Sequence, residues 1–166
     1  MRKLRRPLAA AAAVAFIGAS TIYVIPALAT PGSGFAPVTI SSGNFAALNV
    51  NAEKTGKGQA MWDLTLRTKD RTTVGVDKLV VQPGGFSGWH THAGPTLVTV
   101  TSGEIVWQDG VACTNTTYRA GDTFVEPANH PHNVHSTGAA AEFIAVQMRP
   151  VGTAPRIDAP QPQNCS

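Results

Sequence analysis

The chain has 166 residues, 43% hydrophobic and 14% charged, which suits one packed core and excludes both a disordered chain and two comfortable domains. Its formal charge of +3 is not a nucleic-acid signature. Four of the 13 basic residues, Arg2, Lys3, Arg5 and Arg6, lie in the first six positions, and the remaining bases and acids nearly balance, with no Lys/Arg cluster to meet a phosphate backbone.

The first predicted element is a leader. A basic stretch from Met1 to Arg6 precedes an apolar run from Leu8 to Ile25, Pro26 breaks the run, and Ala27-Leu28-Ala29 places small residues where a signal peptidase needs them. Residues 1–29 are therefore expected to be a secretory signal peptide cleaved after Ala29, leaving a secreted or extracytoplasmic protein with no membrane attachment. An uncleaved anchor is the competing reading, since the run is near the minimum spanning length, but its Ala-rich composition and its flanks favour cleavage. The Arg5-Arg6 pair fits twin-arginine export and is equally common in ordinary leaders, so both routes stay open.

The 16 glycines and 12 prolines punctuate short apolar runs, a pattern of strands and turns rather than long helices. Residues 30–50 read as a Gly/Pro/Ser-rich lead-in to Pro37 and a first strand from Val38 to Val50. A barrel is expected over 51–150. Its first segment, Met61 to Arg67, alternates with period two, as a half-buried strand does. Further strands are expected at 74–81, 97–101, 104–108, 123–126, 132–136 and 142–148, separated by Gly, Pro and Asp-Gly turns. The stretch from Val111 to Ala120 reads as polar loop, and 151–166 as a Pro-rich tail without periodicity. About eight short strands predict an all-β, single-domain antiparallel sandwich or barrel.

Cys113 and Cys165 are the two cysteines. In an exported chain an even count predicts a disulfide, which would tie the tail back to the barrel. Closing a loop of about fifty residues stabilises a fold by roughly 4 kcal/mol in the chain-entropy model.

All five histidines, His90, His92, His130, His132 and His135, fall in two short windows. Residues two apart on a strand share a face, so His90 and His92 aim two imidazoles into one space. Imidazole is the commonest nitrogen ligand for divalent transition metals, and the second window can supply a third. His130 and His135 read as solvated loop histidines, rim residues or proton shuttles. Glu104, Glu126 and Glu142 are available as carboxylate ligands, but the sequence places none of them inside.

Both windows resemble the paired motifs of the cupin superfamily. The first motif there is Gly, five residues, His-x-His, three or four residues, Glu, six residues, Gly; this chain has Gly84, His90-Thr91-His92, Thr96 and Gly103 at those spacings. The second is Gly, five residues, Pro-x-Gly, two residues, His, three residues, Asn; here it is Gly121, Pro127, Asn129, His132 and Ser136. The resemblance covers about Val76 to Met148. It implies an antiparallel double-stranded β-helix, a cupin jelly-roll barrel, holding a divalent metal through His90, His92 and His132. It also implies a possible homodimer. Thr96 stands where the family has its carboxylate ligand, and a hydroxyl is a poor substitute. The expected site is thus open and more positive than the usual one, and favours Zn, Fe, Ni or Cu over Mn.

The functional expectation is an exported metal-binding cupin whose catalytic residues, if any, are unknown. Two alternatives stand beside it: a mononuclear non-haem dioxygenase acting on a small anionic substrate, and a non-catalytic barrel binding a small molecule or sugar. No nucleophile elbow, phosphate loop or paired-carboxylate motif supports hydrolase or kinase chemistry.

Overall fold

Period-two patterning becomes strand along most of the chain. The computed structural model describes residues 31–54 and 62–165; the leader expected over 1–29 lies outside them. Twelve strands and no helix occur among the described residues: β1 (Ser33–Phe45), β2 (Leu48–Lys54), β3 (Trp62–Thr68), β4 (Thr72–Phe86), β5 (His90–Thr91), β6 (Thr96–Ser102), β7 (Glu104–Asp109), β8 (Asn115–Arg119), β9 (Thr123–Glu126), β10 (His132–Ser136), β11 (Ala141–Pro150) and β12 (Ile157–Asp158). Five strands pair in the order β1-β4-β11-β6-β9 and five in the order β12-β5-β10-β7-β8. The two sets join where His135 of β10 pairs with Phe86 at the end of β4. The result is the all-β antiparallel barrel that the strand count predicts. β2 and β3 form a separate hairpin.

Alternation along β6, β9 and β11 divides inside from outside. On β6 Thr96, Val98 and Val100 are buried, and on β11 so are Ala141, Phe143, Ala145 and Gln147. The apolar members of this set meet Val81, Ile105, Phe124 and Val134 in one core, with Tyr118 stacked on Phe124 at 3.9 Å between ring centroids. The core fills one part of the interior; the histidines occupy another. On the outer face of the first sheet Ile40, Leu97 and Val125 remain exposed.

Two departures from the family motifs have local reasons. Asn129 replaces a glycine and adopts φ 57°, a left-handed conformation that Asn tolerates better than most residues. Its N–H donates to the His92 carbonyl at 2.8 Å, so the second motif is tied to the first. Ser136 replaces an asparagine; its hydroxyl accepts from the Gly84 N–H at 2.9 Å and donates to Gln82 O at 3.0 Å. Gly84 itself turns with φ 71°. After His92 the chain presses on β11, where a Cβ at Gly94 would collide with the Met148 carbonyl oxygen.

The structure differs from the sequence reading at the edges. β1 begins at Ser33, inside the stretch read as a flexible lead-in, because β4 is long enough to pair with it from Phe86 back to Thr72. β8 lies in the stretch read as loop. Its burial is slight apart from Tyr118, so no apolar alternation marks it. The tail is ordered too: β12 pairs with β5, the Ala159 N–H donates to Trp89 O at 3.0 Å, and Cys165 is bonded to Cys113.

This disulfide closes a separation of 52 residues. Replacing both cysteines by serine is expected to lower unfolding stability in urea by up to about 4 kcal/mol and to expose residues 151–165 to limited proteolysis. An unchanged urea midpoint with an uncut tail would contradict this role.

Candidate metal centre

Three strand ends converge inside the barrel. His90 lies on β5 and His132 directly opposite it on β10, while His92 follows β5 in the turn toward Gly94. All three rings are buried. Their centroids are 4.3 Å apart for His90 and His132, 5.0 Å for His90 and His92, and 5.1 Å for His92 and His132. One ligand nitrogen from each lies within 4.8 Å of the others.

Their orientation is set from behind. Nδ1 of His90 faces the Gly88 carbonyl at 2.8 Å, Nδ1 of His92 the Pro155 carbonyl at 2.7 Å, and Nδ1 of His132 the His130 carbonyl at 2.8 Å. A carbonyl can only accept, so each Nδ1 carries the proton and each Nε2 presents a bare lone pair. This is how proteins prepare imidazoles for a metal.

Thr96 is fully buried, and its hydroxyl finds no hydrogen-bond partner among the described residues. The carboxylate absent at position 96 stands across the ladder. Thr96 pairs with Glu126 of β9, and Glu126 is buried. Its Oε2 lies 3.2 Å from His92 Nε2 and its Oε1 3.3 Å from His132 Nε2. Of the other two candidate carboxylates, Glu104 pairs with Arg119 at 2.7 Å and Glu142 with Lys78 at 2.9 Å, both away from the triad. The site is therefore less open and less positive than Thr96 alone suggests.

His132 Nε2 is close to Glu126 yet makes no hydrogen bond. Two lone-pair nitrogens facing a carboxylate repel it unless a cation lies between. A proton is a poor choice at His132: burial holds its pKa below the ordinary imidazole value, outweighing the attraction of Glu126. His90 is pushed from 6.5 to about 2 by burial, then by His132, Arg156 and His92. A divalent ion fits better. Ligand atoms each about 2.1 Å from a zinc ion stand about 3.4 Å apart in a tetrahedron, close to the observed nitrogen–oxygen separations.

His130 is not a solvated loop residue. Its Nε2 donates to Asp109 Oδ1 at 2.8 Å, its carbonyl holds His132, and its ring stacks on Trp107 at 5.7 Å. Burial raises the Asp109 pKa, but the N–H groups of Ala112 and Val111, with His130, hold it below the ordinary carboxylate value. His135 is half-buried on β10, apart from the triad, with Nδ1 3.2 Å from the Ser136 carbonyl. Trp89 packs beside the disulfide rather than at the triad.

A cavity of about 170 Å³ adjoins the triad. Its walls include His90, His92 and Glu126, apolar side chains of β1, β4, β10 and β11, and Pro155 and Arg156 of the tail.

Residues 78–147 match the cupin domain family. No curated protein matches the chain. Solved structures similar to it include a conserved protein of unknown function from Streptococcus pyogenes, with 25% identity over 46% of this chain and 65% of that one, at a TM-score of 0.43. A cupin-like protein from Thermotoga maritima shows 22% identity, 55% and 68% coverage and a TM-score of 0.48. A double-stranded β-helix protein from Klebsiella pneumoniae shows 23% identity, 64% and 89% coverage and a TM-score of 0.45.

The depressed histidines set a pH dependence. In the unfolded chain His90 and His132 take up protons near pH 6.5, whereas the folded protein resists them until lower pH. The stability contributed by keeping them neutral is complete above pH 6.5 and is lost as the pH falls from there toward about 2. Metal-free protein is expected to melt at progressively lower temperature from pH 7 to pH 4, with a shallower slope in His90→Gln. Equal slopes would contradict the assignment.

Proposed function

The chain carries a cupin domain over residues 78–147, which places it in the cupin superfamily, and from that premise we propose that it is an exported protein holding one divalent metal ion through His90, His92, His132 and Glu126. The observation that carries this reading is the set of three buried Nε2 lone pairs, each fixed by a backbone carbonyl behind the ring, with a buried carboxylate beside two of them. Three imidazoles suit Zn, Fe, Ni or Cu; the Glu126 oxygen donor removes the ground for setting Mn aside. The Cys113–Cys165 bond supports export, because such bonds persist in oxidising compartments.

The adjoining cavity supports a small-molecule ligand within reach of the ion. At about 170 Å³ it is smaller than the roughly 300–1,000 Å³ typical of drug-sized ligands. Its mainly apolar walls offer few partners for the hydroxyls of a sugar. A bound redox metal such as iron would supply oxygen chemistry to that ligand. The chain's own contribution is positioning: the carbonyls of Gly88, Pro155 and His130 hold the imidazoles neutral and aligned, and the apolar walls keep bulk water from the ligand.

Metal analysis tests the central part. After loading with Zn, Fe, Ni or Mn and removal of excess, wild-type protein is expected to retain about one equivalent of at least one of them. His90→Ala and His132→Ala should lose it, Glu126→Gln should weaken affinity at least tenfold, on the order of what even outer-shell changes do, and Thr96→Val should leave it unchanged. Retention of none of the four metals would overturn the proposal.

A further inference from the structure

The tail after residue 147 lies outside the family-matched segment, yet it builds part of the cavity. β12 extends the sheet beside His90, the Pro155 carbonyl orients His92, and the disulfide fixes the far end. Between these anchors Arg156 lines the cavity next to the triad, with its side chain 29% exposed. Its guanidinium donates through Nε to Asp158 Oδ1 at 2.6 Å. That contact uses one of five N–H donors, and no other hydrogen bond to the guanidinium occurs among the described residues.

The opposite wall has a different character. Phe35, Leu79, Val134, Phe143 and Ala145 supply apolar surface. Asp77 and Gln147 add two polar groups from β4 and β11. Asp77 accepts a hydrogen bond from Thr39 at 2.7 Å, and Gln147 is buried with its Oε1 unpartnered. The cavity is therefore cationic at Arg156 of the tail, with neutral imidazoles and Glu126 at the metal position, apolar along its body, and acceptor-bearing on β4 and β11.

We propose that this cavity binds a small monocarboxylate with an apolar body, its carboxylate anchored by Arg156 beside the metal position. A guanidinium fork matches a carboxylate and forms charge-assisted hydrogen bonds that a neutral group cannot replace. The apolar walls take the body of the ligand. Asp77 selects against a second carboxylate, because like charges at short range in a mainly apolar cavity repel strongly. This deepens the metal-site reading and rests on it for the neighbouring ion, but the Arg156 contact is separable from the ion.

Calorimetric titration of zinc-loaded protein with benzoate, its neutral counterpart benzamide and the dicarboxylate succinate tests the assignment, with zinc content measured on each sample. Benzoate is expected to bind at least tenfold more tightly than either of the others. Arg156→Ala should weaken benzoate at least tenfold with the zinc content unchanged, and Arg156→Lys, which keeps the charge, should recover part of the loss. An intact disulfide and tail, read by proteolysis, exclude misfolding of either variant. Equal affinity for benzamide, no loss in Arg156→Ala, or no benzoate binding by zinc-loaded protein would overturn the proposal while leaving the metal site standing. Arg156-dependent benzoate binding by protein that retains none of Zn, Fe, Ni or Mn would instead refute the metal reading and keep the Arg156 anchor.

Discussion

The site depends on three hydrogen bonds from imidazole Nδ1 atoms to backbone carbonyls. Each carbonyl belongs to a different segment: Gly88 before β5, Pro155 in the tail and His130 before β10. A backbone acceptor cannot titrate or rotate away, so it fixes both tautomer and ring plane. The two barrel motifs supply the rings, while the loops and the tail supply their orientation. Asp109 extends this logic outward, since it holds the His130 loop and the turn at Val111 and Ala112 together.

Burial turns this geometry into chemistry. Imidazoles deep in the barrel resist protonation, and the carboxylate of Glu126 faces two nitrogens that bring lone pairs rather than protons. Such an arrangement is unfavourable when empty and favourable around a cation. A hydrophobic core on one side and a cavity on the other keep the site dry and reachable. The tail closes the remaining side, and the disulfide makes its position independent of the few hydrogen bonds it forms.

Much of this was legible in the sequence. Short apolar runs between turn signals locate β6, β7, β9, β10 and β11 within a residue or two, and β6, β9 and β11 each bury one face in alternation. The spacing of the two motifs brings His90, His92 and His132 forward as a set. Glu126 was visible only as one of three carboxylates. Its parity with buried Phe124 on β9 says that it points inward, but its place beside the triad depends on the register of β9 against β6, which no single strand encodes. β8 shows no alternation because it is an exposed edge. Arg156 is hidden in a Pro-rich stretch whose position is set by the disulfide and by two residues of pairing with β5, long-range constraints without a local signature.

The account stands on an ion lying between three imidazoles and one carboxylate. An anomalous-difference map from crystals of metal-loaded protein, collected at the absorption edge of the metal, tests this most directly. The account predicts a single strong peak within bonding distance of Nε2 of His90, His92 and His132 and of a Glu126 carboxylate oxygen. No peak inside the barrel, or a peak confined to surface carboxylates with the three rings unengaged, would contradict it.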